Sequence, residues 1–257
     1  MRELKILSWN INGIRAVERK GFLDWLKQES PDVLCLQETK VQPEQIGFEI
    51  QHVPSYYTYW NFPERKGYSG VAIFTKEKPD DVENGFGIKR FDMEGRVTIA
   101  KYPQFTLFNI YFPNGRMNDE RLGYKMDFYD AFLDFATSIK ARGEKLIICG
   151  DFNTAHKEID LARPRENGNT SGFLPIERAW MDKFVACGFI DTFRYFVKEP
   201  NYYTWWSLRT RARERNVGWR LDYIFVTEDL LNLVVEANIL SRVAGSDHCP
   251  VGIKLSV

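Results

Sequence analysis

The stretch RVTIAKYPQFTLFNIYF, residues 96–112, holds two apolar runs that meet at Pro103. Parallel neighbours need a crossover of a dozen residues or more, whereas antiparallel ones can be joined by a tight turn. The spacing therefore predicts an antiparallel hairpin turning near Pro103. The same kind of short apolar run recurs along the chain: LKILSW, DVLCLQ, SGVAIFT, KLIICG, RLDYIFV, VVEANIL and VGIKLSV. Each reads as a buried strand. Helical spacing is visible in only three places: Phe22, Trp25 and Leu26 before Pro31; Leu122, Met126, Tyr129 and Leu133; and Pro175 through Trp180, Phe184 and Cys187 before Gly188. Three helices cannot supply a crossover between every pair of strands, which excludes an all-parallel sheet. The expected architecture is mixed sheets packed face to face, with helices outside.

The 257 residues carry no Ser-, Pro- or Gly-rich linker and no internal repeat, so one domain over 1–257 is expected. Lys plus Arg and Asp plus Glu both number 35, a balance that leaves room for local patches only. Cys35, Cys149, Cys187 and Cys249 show no CxxC spacing and read as small core residues. No leader-like segment opens the chain and no apolar run reaches the ~20 residues that span a bilayer. The expectation is a cytoplasmic enzyme or binding protein without membrane contact.

Polar residues gather where strands begin or end: Asn10 and Asn12 in SWNING, Glu38 in LQETK, Tyr111 and Asn114 in YFPNGR, Asp151 and Asn153 in CGDFN, Asp222 in LDYIF, Asp247 and His248 in SDHCP. Any one of them can be explained as a turn residue. Six such places along one sheet edge would line one crevice. Their donors are hard oxygens, with the histidines scattered and no cysteine beside one. That disfavours zinc and suits magnesium, which completes its shell with waters and substrate phosphate oxygens. A phosphate partner is suggested by YYTWWSLRTRARERNVGWR, residues 202–220, where Arg209, Arg211, Arg213, Arg215 and Arg220 alternate with Trp205, Trp206 and Trp219. Arginine forks bind phosphates and indoles stack on bases; the plainer reading is a solvated basic loop over core tryptophans. Arg15, Arg19, Lys20, Arg65 and Lys66 are further candidates for a basic surface. His52 reads as structural, and His156 as a contact to a nearby loop.

With SWNINGIRA, LCLQETK, YFPNG, GDFNTAHKEIDLARP, NVGWRLDY and GSDHCP in this order, the chain resembles the exonuclease III family of abasic-site endonucleases nearly end to end. GDFN and SDH belong to the wider superfamily of endonucleases, exonucleases and phosphatases; NVGWRLDY with AHKEIDLARP narrows the likeness to the DNA-repair branch. The resemblance implies a four-layered α/β sandwich with one metal-dependent phosphodiesterase site. It implies Glu38 as chief ligand of magnesium, or manganese in its place, with Asn10 and Asp247 close by. Asp151 and Asn153 would position and activate water, His248 would bind the scissile phosphate with Asp222 orienting it, and Tyr111 would serve phosphate or leaving group. Asn114, Asn216 and Arg209 would contact DNA, and Trp205 and Trp219 would wall a pocket for a flipped sugar. Asn12 stands where some relatives have an acid.

The implied activity is hydrolysis of the phosphodiester 5′ of an abasic site in double-stranded DNA. Exonuclease, 3′-phosphodiesterase and damaged-nucleotide activities would accompany it. Either Asp151 or the His248–Asp222 pair would take the proton, with Asp151 preferred. The alternatives are a phosphatase of the same superfamily and a silent DNA-binding protein. A monomer is expected. Eukaryotic members carry a basic extension ahead of the first strand, which this chain lacks, so a prokaryotic cytoplasm is expected.

Overall fold

The computed structural model describes residues 2–256 and contains twelve strands. They are β1 (Glu3–Asn10), β2 (Val33–Gln37), β3 (Tyr57–Asn61), β4 (Val71–Thr75), β5 (Asp81–Asn84), β6 (Val97–Lys101), β7 (Thr106–Tyr111), β8 (Leu146–Asp151), β9 (Phe189–Asp191), β10 (Asp222–Thr227), β11 (Val234–Ile239) and β12 (Val251–Ser256). The expected hairpin is β6–β7: Lys101 pairs with Thr106, and Tyr102 N–H donates to the Phe105 carbonyl across Pro103 and Gln104. The strands form two six-stranded mixed sheets, ordered β11-β12-β1-β2-β4-β3 and β5-β6-β7-β8-β10-β9. Each sheet holds one parallel pair, β1 with β2 and β7 with β8, and the remaining neighbours are antiparallel. The two sheets pack face to face over Ile6, Cys35, Ile73, Leu107, Cys149, Ile224 and Ile253. Outside the first sheet lie short helices such as Phe22–Glu29, and outside the second lie Asp119–Lys140 and Pro175–Ala186. This is the four-layered sandwich.

The three helices expected from spacing are present, with one shift. On Asp119–Lys140 the buried stripe is Lys125, Phe128, Tyr129, Phe132, Leu133, Ala136 and Ile139, while Leu122 and Met126 lie at its margin. Three strands escaped the reading. β3 is half-exposed, β5 reads DVEN, and β9 is three residues long, so all lack the continuous apolar run of a central strand. Three of the four cysteines are buried, and Cys187 is half-buried. Among the described residues no helix is long and apolar enough to cross a membrane.

Side chains alternate along a strand, so every second residue faces the opposite sheet. Those inward rows are graded along their length. Ile6 is followed by Ser8 and Asn10, Cys35 by Gln37, Leu107 by Asn109 and Tyr111, and Cys149 by Asp151; Ile224 is preceded by Asp222. Apolar rows fill one end of the sandwich and polar groups the other. Between them Gln37 Nε2 donates to Ser8 Oγ (2.9 Å) and to Asn109 Oδ1 (2.8 Å) in the opposite sheet. Asn109 Nδ2 returns bonds to the Leu36 and Ala72 carbonyls at 3.2 and 2.8 Å. β7 and β8 approach so closely at this end that a Cβ on Gly150, at φ 143°, would lie 1.8 Å from the Ile110 carbonyl oxygen. Only glycine fits immediately before Asp151.

A second buried network braces the segment that carries Trp219 and Asp222. Arg220, 1% exposed, bonds Asp160 Oδ1 through Nε at 2.8 Å and Asp191 Oδ2 through Nη2 at 2.7 Å; Arg194 also reaches Asp160 at 2.8 Å. Burial raises the proton affinity of the Asp160 carboxyl, but Arg220 and then Arg194 outweigh it and bring the pKa down to about 2. A depressed carboxyl contributes stability above its unfolded value, and that stability is lost as pH falls through the folded value. The contribution is about 2 kcal/mol, lost between pH 3.8 and about 2. Urea unfolding followed across that window is expected to show a pH slope that Asp160→Asn reduces; equal slopes in the two proteins would remove Asp160 from acid unfolding.

Candidate active site

The polar ends of the inward rows converge in one cleft. Asp151, at the end of β8, lies directly opposite Asp222, at the start of β10, in the antiparallel ladder. Both are 1% exposed. His248, in the loop that leads into β12 of the other sheet, reaches between them: Nδ1 is 2.8 Å from Asp222 Oδ2 and Nε2 is 3.8 Å from Asp151 Oδ2. Thr204 Oγ1 donates to the same Asp222 oxygen at 2.5 Å. Burial disfavours the imidazolium, but Asp222 and Asp151 prevail and push His248 up to about 10. The group is therefore protonated at neutral pH, with Nδ1–H directed at Asp222. Desolvation also drives Asp151 upward from its usual range, to about 7, against the lowering influence of His248.

Asp151 is held on several sides. Oδ1 accepts the Asn153 backbone N–H at 2.8 Å, and Oδ2 accepts Asn10 Nδ2 at 2.8 Å and Asn153 Nδ2 at 3.3 Å. Asn10 Nδ2 also donates to Glu38 Oε1 at 2.9 Å, which joins the end of β1 to the residue that follows β2. Asn153, at φ 51°, additionally donates to the Phe112 carbonyl and accepts from Asn114 Nδ2 at 3.1 Å. Tyr111 is buried beside Glu38, its ring 4.7 Å from the Arg96 guanidinium. Burial, then the nearby Glu38 carboxylate, pushes the Tyr111 hydroxyl up, so it is a donor at any working pH.

Glu38, Asp151 and His248 present ligand atoms within 4.8 Å of one another, a cluster able to hold a metal ion. The two carboxylates offer oxygen donors that fit a hard divalent cation, while Asn10 turns its amide nitrogen toward both of them and its Oδ1 accepts the Asn12 N–H at 3.0 Å. The imidazolium at His248 fits a phosphate oxygen better than a metal. Burial acts to raise Glu38, yet Lys40, whose Nζ is 2.7 Å from Oε2, and Asn10 hold it below its ordinary value and keep it anionic. Asp247, grouped with Glu38 on the sequence, is engaged elsewhere: Asn12 Nδ2 donates to Oδ1 at 2.9 Å and Trp205 Nε1 to Oδ2 at 3.0 Å. Asn12 Oδ1 in turn accepts from Lys40, so an amide links the Asp247 side of the cleft to the Glu38 side.

Trp205 and Trp219 stand beside this cluster. They pair as an isolated bridge, Trp205 forms another with His248, and their rings meet at 82° with centroids 6.5 Å apart. The arginines of the same stretch divide. Arg220 is buried as described, and Arg213 donates to the Ser241 and Val243 carbonyls at 2.7 and 2.6 Å, which ties down the loop ahead of Asp247. Arg209 and Arg211 are exposed, and Arg215 is exposed with one bond to the Thr210 carbonyl. Asn216 does not reach the cluster; it accepts from Trp206 Nε1 and donates to the Asn201 carbonyl. Among the outlying basic residues, Lys20 bonds the Gly245 carbonyl and Lys66 pairs with Glu44. His52 stacks on Phe48, and His156 meets Asp182 at 2.7 Å on the neighbouring helix. The sequence reading missed Lys40, Thr204, Arg96 and Arg116. Lys40 and Arg116 carried a signal, two residues after Glu38 in LQETK and two after Asn114 in YFPNGR.

Comparison with known proteins agrees with this geometry. The Endonuclease/Exonuclease/phosphatase family pattern matches residues 7–248. The chain is 42% identical to the exodeoxyribonuclease of Bacillus subtilis over 99% of its own length and all of that protein. It is 41% identical to the DNA repair nuclease APEX1 of Danio rerio, over 99% of this chain and 83% of the relative. Among solved structures, an AP endonuclease from Archaeoglobus fulgidus superposes with a TM-score of 0.91 at 30% identity, over 99% of this chain and all of the other. A 3′ phosphatase from Neisseria bound to product DNA hairpin also gives 0.91, at 26% identity, over 99% of this chain and all of the other. The resemblance read from the six motifs holds along the whole length, and the chain belongs to the endonuclease/exonuclease/phosphatase family, within its group of exodeoxyribonucleases and AP endonucleases.

Proposed function

We propose that this protein is a magnesium-dependent DNA-repair hydrolase that cuts the phosphodiester 5′ of an abasic site in duplex DNA. Trimming of 3′ ends by exonuclease and phosphodiesterase action accompanies the cut. One observation carries the reading: a buried Asp151–His248–Asp222 array beside Glu38 opens onto a corner formed by two indoles. The relatives named for AP endonuclease, exodeoxyribonuclease and 3′ phosphatase activity support it.

Water attacks phosphorus in line, its oxygen forms the new P–O bond, and the bond to the 3′ oxygen breaks. The 3′ oxygen leaves with the bonding pair and takes a proton from solvent, so the products are a 3′ hydroxyl and a 5′ phosphate on the baseless sugar. Asp151 takes the proton of the attacking water; a carboxylate with its proton affinity raised toward neutrality is suited to that task. Asn153 fixes the angle of Asp151. His248, oriented by Asp222, donates from Nε2 to a non-bridging phosphate oxygen, which gains charge as the transition state forms. Tyr111 and Asn114 donate to the phosphate or the departing oxygen. Glu38 and Asn10 would hold magnesium or manganese, which would supply Lewis-acid stabilisation of the same charge.

Nicking of an abasic duplex is expected to stop in excess chelator, and Glu38→Gln to weaken magnesium binding about tenfold or more by calorimetry. Full activity with chelator present would refute the metal assignment.

The proton affinities set a pH profile. Asp151 must be unprotonated, so single-turnover nicking rises with pH through a limb at about 7, or lower with a cation bound beside it. His248 must keep its proton, so the rate falls again toward about 10. Asp151→Asn is expected to lower the rate by about 10²–10⁴-fold with DNA affinity little changed and to abolish the ascending limb. A limb that survives in this variant assigns the base to another group.

Trp205 and Trp219 form the corner that receives the flipped sugar, and Arg209 enters the gap left in the stack. Flipping a nucleotide costs a few kcal/mol, least where no base must be unstacked, so a small pocket converts that difference into preference for abasic DNA. Trp219→Ala is expected to lower the abasic-to-intact nicking ratio at least tenfold. A lower melting temperature with the ratio unchanged would mean that the ring serves only packing.

A further inference from the structure

Arg116 holds a position that neither the motifs nor the proposed chemistry explains. Its guanidinium lies 5.2 Å from the Trp205 ring and 5.5 Å from the Trp219 ring, over the corner where the two indoles meet. Nε donates to the Ser171 carbonyl at 3.3 Å, so the side chain bridges from its own loop to the loop beneath Trp219. That lower loop is itself fixed: Glu177 accepts from the Gly172 and Leu174 backbones, and a Cβ on Gly172 would stand 3.3 Å from the Trp219 ring. The loop of Arg116 is equally constrained. Its backbone N–H donates to Asn114 Oδ1 at 2.8 Å, Asn114 Nδ2 donates to Asn153, and a Cβ on Gly115 would press within 2.7 Å of Ser171 Oγ. Although the residue as a whole is exposed, contact with the rings desolvates the guanidinium and lowers its basicity, with Glu177 and Asp151 opposing. Among the described residues no carboxylate is bonded to it.

We infer that Arg116 is a specificity-determining residue: its guanidinium closes the Trp205–Trp219 corner as a third wall, leaving room for a sugar without a base. This rests on the reading of that corner as the sugar pocket. A cation within about 6 Å of two ring centroids is held by cation–π attraction, and a contact of this kind corresponds to about two- to thirtyfold in an equilibrium constant. A bare deoxyribose enters beneath it. A nucleotide that still carries its base must push the guanidinium off both rings and break the bond to Ser171. The penalty falls on the base-bearing substrate alone, so it changes selectivity rather than overall rate. Lysine, which has a charge but no flat face, closes the corner only in part.

The test compares nicking of an abasic duplex and an intact duplex of the same sequence, under single turnover with magnesium, for Arg116→Ala, Arg116→Lys and wild type. Arg116→Ala is expected to lower the abasic-to-intact ratio about tenfold while abasic nicking stays within threefold of wild type, and Arg116→Lys to fall between. An equal loss on both duplexes, with a shallower salt dependence, would assign Arg116 to phosphate anchoring and overturn the inference. Unchanged rates on both would also overturn it. Trp219→Ala run in parallel separates the two readings: if Trp219→Ala shifts the ratio and Arg116→Ala does not, the pocket stands and the third wall falls; if neither does, the pocket itself is wrong.

Discussion

Two carboxylates that face each other across an antiparallel ladder, buried and with like charge, destabilise a sheet unless a cation lies between them. Asp151 and Asp222 are such a pair, and the cation is the imidazolium of His248. His248 belongs to the opposite sheet, so the array forms only when the two sheets are packed in register. Trp9 of β1 fixes the approach by donating its indole N–H to the His248 carbonyl at 3.2 Å. Packing of the sandwich and assembly of the chemistry are thus one event. The array supplies an electrostatic reason for the sheets to meet as they do at this end, where the apolar rows have run out.

The grading of the inward rows explains why the chemistry is confined to one edge. Over Ile6, Cys35, Leu107, Cys149 and Ile224 the packing is mainly apolar, and toward the cleft the polar groups begin at the Gln37–Asn109 bridge. That bridge is fully paired on its donor side and closes the dry core against the cleft. Asp151, two residues further along its strand, therefore sits on a low-dielectric floor with hydrogen bonds from only a few fixed neighbours. Desolvation is the largest influence on it for this reason. A carboxyl with intermediate proton affinity follows from where the apolar row ends, without any special group being added to tune it.

Much of this was legible in the sequence because the central strands are buried on both faces and read as unbroken apolar runs, with a polar residue where each meets the cleft. LIICGD and VLCLQE announce both the strand and its functional end. Edge strands such as DVEN escape because one of their faces is solvated. Buried charges are the harder loss. Lys125, with Nζ 2.6 Å from Glu177, and Arg220, between Asp160 and Asp191, look like solvated residues until distant segments are brought together. Composition cannot reveal a charge that is paired only in three dimensions. The arginine run shows the same limit: Arg213 and Arg220 stood in the sequence beside Arg209 and Arg211 with nothing to separate the braced from the free.

That division has a consequence for recognition. Asp151, Asp222 and Glu38 stand at strand ends and, with His248, are cross-braced by both sheets, where small displacements are resisted from two directions. The exposed Arg209 and Arg211 stand on short turns, and the Trp205–Trp219 corner is built from isolated bridges rather than from a ladder. Braces such as Arg213 on the Ser241 and Val243 carbonyls anchor those turns at their base and leave their tips free. A duplex varies in bend and groove width from site to site, whereas the phosphorus centre does not vary in geometry. Cross-bracing at the strand ends beside exposed turn tips would suit one fixed chemistry to a variable substrate. Trp205, which bridges His248 and bonds Asp247, is the residue that joins the two sets.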